Sequence, residues 1–167
     1  LNLILFHVGI GFLVFLFPPF SKVYGYSIFI LGAYLVIKTQ NKNNQALMAA
    51  AYVVGSEVFL RMTGGNPLYE ISKYGVMVFI FIGMYFSGFS KNATPYWLFL
   101  LLLVPSVVLT TFVLNYDTDI RNTIAFNISG PVCLGVASLY TFRRKIPLTQ
   151  INSILLCMGL PIVSCMV

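Results

Sequence analysis

Short polar breaks divide this chain into apolar runs of about 20 residues, the length an α-helix needs to cross the hydrocarbon core of a bilayer. That spacing removes most folds from consideration. Inside a membrane every backbone N–H and C=O must be satisfied by the protein itself, which leaves helices or closed barrels. The runs lack the short alternation of barrel strands, so helices remain. Composition agrees: 59% of residues are hydrophobic and 8% are charged, against about a quarter charged in soluble domains. The expected fold class is all-α, a polytopic transmembrane helix bundle of about seven spans. Residues 1–167 read as one domain. The chain begins with Leu and stops within an apolar run, and we read it as the amino-terminal part of a longer membrane protein.

Hydropathy and polar punctuation together predict helices over 2–17, 23–37, 46–62, 71–89, 96–114, 124–142 and 148–167. Pro18-Pro19 removes two backbone donors and ends the first. Thr63-Gly64-Gly65-Asn66-Pro67 is a turn cluster, and Pro95 and Pro147 sit near helix starts, where proline is tolerated. The second span is short, which leaves open a tilted hairpin for the first two.

Loop charge gives an orientation, because Lys and Arg are retained in the cytoplasm. Lys38, Lys42, Lys91, Arg143, Arg144 and Lys145 fall on one side of the expected bundle with no carboxylate among them. That side is read as cytoplasmic, together with the start of the chain. All four carboxylates (Glu57, Glu70, Asp117 and Asp119) fall on the other side with Lys22, Arg61, Lys73 and Arg121. The net charge of +6 then reports topology, and no nucleic-acid partner is expected.

The mixed-sign outer layer is the candidate site. Glu57 and Arg61 are four apart, on one helical face and within pairing reach. They read either as an ion pair closing a helix end or as part of a shared pocket that Arg61 faces, and repetition of the pattern at the next two outer connections favours the pocket. Glu70 suits the positive end of the helix that follows it. Lys73 opposes that dipole, and reads either as snorkelling to water or, beside free backbone donors, as an anion ligand. Arg121 reads as a bidentate ligand for phosphate or carboxylate, or as a solvated loop residue. Asn127 and Ser129, with Gly130-Pro131, place a polar break within a span that is expected to face the same cavity. Asp117 and Asp119 lack the ligand number of a calcium loop, so no metal is expected.

His7 reads as a packed residue rather than a proton relay. Cys133, Cys157 and Cys165 have no metal-ligand spacing. Ala51 and Gly55 form a small-xxx-small pair that permits close helix approach. The chain carries no P-loop, dinucleotide fingerprint, HExxH motif or nucleophile-His-Asp constellation.

The stretch Gly55-Ser56-Glu57-Val58-Phe59-Leu60-Arg61-Met62, the Tyr69-Glu70-x-x-Lys73-Tyr74 element and Asn127-Ile128-Ser129-Gly130-Pro131 followed by an Arg-Arg-Lys loop resemble the amino-terminal half of bacterial O-antigen ligase and polymerase-like membrane proteins, particularly of Bacteroidetes type. The resemblance spans roughly residues 46–145. It implies a GT-C-like glycosyltransferase in lipopolysaccharide or polysaccharide biosynthesis, using an undecaprenyl diphosphate-linked glycan at the periplasmic face of a bacterial inner membrane without a cofactor. That agrees with the outer polar layer, whose Arg61, Lys73, Arg121, Glu57, Glu70, Asn127 and Ser129 are the expected substrate-binding residues. The family's large periplasmic loop with catalytic Arg and His is absent from this chain, so catalysis by these residues alone is not expected. The competing readings are a small substrate-binding membrane subunit of a transporter and a structural subunit of a membrane complex.

Overall fold

The computed structural model describes residues 1–66, 70–113 and 120–166, excluding the side chains of Ile120 and Arg121. Seven α-helices follow one another: α1 (Asn2–Leu16), α2 (Phe20–Thr39), α3 (Gln45–Met62), α4 (Ile71–Ser87), α5 (Thr94–Val113), α6 (Ile120–Thr141) and α7 (Leu148–Val163). A 3-10 turn, Ser164–Met166, extends α7. No strand occurs among the described residues. Four segments are long and apolar enough to cross a membrane: α2, α5, α6 over Asn122–Thr141, and α7 with its 3-10 turn; α1 and α4 are shorter apolar helices.

Helix ends follow local chemistry. Pro19 is the N-cap of α2, and this helix is longer at both ends than its hydropathy predicts. It ends at Gln40 and Asn41, both left-handed at φ 50° and 55°. Asn tolerates that region better than most residues, and Asn41 puts its buried side chain to use. Its Nδ2 donates to Ser87 Oγ at 2.8 Å, and its Oδ1 accepts from the Ala46 N–H at 2.9 Å. One side chain therefore ties the α2–α3 turn to the end of α4 and satisfies a donor in the first turn of α3. At the other end of α3, Gly64 takes φ 67° and the Gly65 N–H donates back to Leu60.

Prolines lie inside three helices, Pro105 in α5, Pro131 in α6 and Pro161 in α7. None interrupts its helix. The polar break expected at Asn127–Pro131 is instead continuous helix, because the only ladder bond proline itself removes there is the one to the carbonyl four residues earlier.

The described residues form two compact units. The first comprises α1–α4 and α7. In it, small residues let α2, α3, α4 and α7 approach closely. A Cβ on Gly55 would collide with the Met158 backbone, which fixes the α3–α7 crossing at van der Waals distance. Gly75 of α4 receives the ring of Phe29, and Phe29 stacks on Phe79. Gly25 and Gly65 bring α2 against the turn after α3, where Ser21 and Thr63 join their hydroxyls. Helix α1 meets α2 only sparsely and is held chiefly by α7 and its 3-10 turn. Ser164 Oγ donates to the His7 carbonyl at 2.9 Å.

The second unit is the α5–α6 pair. Leu100 of α5 packs on Gly135, while Val136, Leu139 and Tyr140 are buried on α6 and no residue of α5 is. Arg144 closes the unit: its guanidinium lies 4.0 Å from the Tyr140 ring centroid and donates to the Gly88 carbonyl at 2.9 Å.

Candidate functional site

Since α1 leans on α7 while glycines draw α2 toward α3 and α4, the first two helices splay. Between them and α3 lies a cavity of about 820 Å³. Its lining runs along α2 from Phe20 to Leu35. At a helical rise of 1.5 Å per residue the cavity is about 22 Å long. Most of its wall is apolar, built from Phe, Leu, Ile, Val, Met, Ala and Gly; the polar side chains on it include Tyr24, Ser27, Gln45 and Tyr52.

Two of these polar residues belong to a hydrogen-bonded relay that ends on a buried histidine. His7, 2% exposed within α1, places Nδ1 at 2.7 Å from the Leu3 carbonyl and Nε2 at 2.9 Å from the Tyr52 hydroxyl. The Tyr52 hydroxyl lies 2.8 Å from that of Tyr24. A carbonyl only accepts, so the proton on Nδ1 is committed to Leu3. In that neutral tautomer Nε2 accepts from Tyr52, and Tyr52 in turn accepts from Tyr24. Three helices are joined by this row of bonds.

A second cavity of about 390 Å³ lies between α1, α3 and the 3-10 turn, with Val14, Phe59, Thr63 and Ser164 on its wall.

The residues singled out from sequence lie elsewhere. Arg61 Nη2 pairs with Glu57 Oε1 at 2.7 Å, with side chains 37% and 27% exposed. This pair lines neither cavity and stays near the surface of its unit. Lys73 pairs with Glu70, whose side chain is 8% exposed at the start of α4. Both cations thus have a carboxylate on their own helix or at its start. In the second unit, Asn127 is exposed on α6 and Ser129 is buried. The Arg121 side chain, Asp117, Asp119 and Tyr69 lie outside the described residues. Among the described residues no group of three or more His, Cys, Asp or Glu side chains is placed to hold a metal.

Sequence reasoning read His7 as a packed residue, as its burial shows it to be, but did not foresee its hydroxyl partners. The available signal was its character as an ionisable residue in the middle of an apolar helix, which by default marks a functional position in a membrane. Its partners are 17 and 45 residues further on and no spacing rule links them.

Comparison of the chain with protein-family models, curated proteins and solved structures gives no match.

Proposed function

We propose that this chain is a seven-span membrane module whose first unit binds one small amphiphile, apolar chain inward, in the cavity between α1, α2 and α3. The observation that carries this reading is the cavity itself. Its volume falls in the roughly 300–1,000 Å³ range of small-molecule sites, and a mostly apolar wall with a few placed polar groups is their usual lining. A close-packed helix bundle has few voids larger than a water molecule.

In the proposed topology the start of the chain and the Lys38–Lys42, Lys91 and Arg143–Lys145 connections face the cytoplasm, while Glu57, Arg61, Glu70 and Lys73 face outward. The short helices α1 and α4 are matched by local thinning of the bilayer. The glycosyltransferase reading rests on a resemblance and on outer cations gathering around a diphosphate. Since Arg61 and Lys73 already have carboxylate partners, it stands second to the binding module.

A cavity-filling variant tests the reading. Gly9 lines the cavity, and a Cβ there meets no atom within 4 Å. Gly9→Leu should therefore fill the space without disturbing the fold. Organic extraction and mass spectrometry of the purified protein should find a single-chain amphiphile at near-stoichiometric amount in the wild type and little in Gly9→Leu, at unchanged thermal stability. Equal amounts in the two would remove the proposal.

A further inference from the structure

We infer that the polar end of the bound molecule is a hydroxyl group, so that the cavity selects a long-chain alcohol over ethers and ketones of the same length; the inference rests on the binding reading above. It follows from the direction of the hydrogen bonds. The Leu3 carbonyl fixes the proton of His7 on Nδ1, Nε2 takes the proton of Tyr52, and Tyr52 takes that of Tyr24. At the end of the row, the Tyr24 oxygen has lone pairs to offer and no proton.

A second hydroxyl on the wall has the same polarity for an independent reason. Ser27 lies one turn beyond Tyr24, on the same face of α2. Its Oγ donates to the Tyr24 carbonyl at 2.7 Å, so it too presents only lone pairs to the cavity. Two acceptors on residues of the same wall, neither with a free proton, call for a donor. An ether or ketone would set lone pair against lone pair and gain no hydrogen bond from either hydroxyl. An ammonium would donate, but its burial without a counter-charge costs far more than burial of a neutral hydroxyl. A neutral alcohol on an apolar chain meets both demands, and a cavity about 22 Å long along α2 accommodates a single extended chain.

The test uses the intact chain in nanodiscs with tritiated hexadecanol as the probe, displaced by unlabelled hexadecanol, its methyl ether or the methyl ketone of matched length. Geranylgeraniol and its methyl ether form a parallel arm that separates a prenyl source from an acyl one. The alcohol should displace the probe about three- to tenfold more effectively than its ether or ketone in at least one arm. Tyr52→Phe should release the Tyr24 proton toward the cavity, so that ether binding rises and the preference collapses toward unity. A merely structural role for Tyr52 would lower all ligands together. Tyr24→Phe should reduce the preference by removing one of the two acceptors, and Tyr24→Phe with Ser27→Ala should abolish it. Saturable binding that Gly9→Leu blocks, but with equal affinity for alcohol and ether, overturns this inference and leaves the binding module standing. No saturable binding of any probe, or binding that Gly9→Leu leaves intact, removes both.

Discussion

Two ion pairs with the same chemistry sit in different surroundings, and their energetic weights should differ accordingly. Glu57 and Arg61 are both partly exposed, a setting in which a helix-face pair contributes only about 0.3–0.5 kcal/mol. Glu70 is buried, and removing its cation would leave a desolvated carboxylate. Because Lys73 retains some exposure, the loss should fall below that of a fully buried pair, at about 1–3 kcal/mol. Thermal unfolding in detergent should therefore rank Lys73→Met well below Arg61→Gln in stability. Equal midpoints for the two variants would show that burial of Glu70 has no energetic consequence. The pairing itself was legible from the four-residue spacing of Glu57 and Arg61. The degree of burial was not, because it depends on which neighbours pack over each helix end.

Among the elements, the seven helices were legible to within about four residues at their ends, since apolar runs and proline or glycine punctuation act locally. The small-xxx-small pair on α3 was legible in the same way, and Gly55 does meet another helix. That the partner is α7, a hundred residues later, follows from three-dimensional packing and leaves no trace in local sequence. The consequence is measurable. Gly55→Ala should force the α3–α7 crossing apart and cost about 1–3 kcal/mol. Gly159→Ala, one residue beyond Met158 with open space around its Cβ, should be neutral or gain a few tenths from helix propensity. The two alanine variants can be compared by thermal unfolding in one detergent. If they shift equally, the crossing is looser than its geometry indicates. The cavity belongs to this scale as well. It arises because α1 and α2 diverge, and no pattern in either helix announces the divergence.

For the whole molecule, the proposed orientation rests on six basic residues without carboxylates on one side of the bundle. In a variant without native cysteines, single cysteines at Asn66 and Tyr116 should react with an impermeant maleimide in intact cells. Cysteines at Asn43 and Lys91 should react only after permeabilisation. The reverse pattern would invert every assignment of inner and outer face. A further consequence concerns the contact between Ser164 and the His7 carbonyl, groups 157 residues apart in sequence. Synthesis at about 5–20 residues per second places roughly ten to thirty seconds between their appearances. During that interval α1 waits without the helix that holds it, and the His7 carbonyl without the Ser164 hydroxyl from which it will accept. Assembly of the first unit is thus a late docking of an early helix, and any event that delays α7 prolongs the period in which α1 is available to the wrong partner.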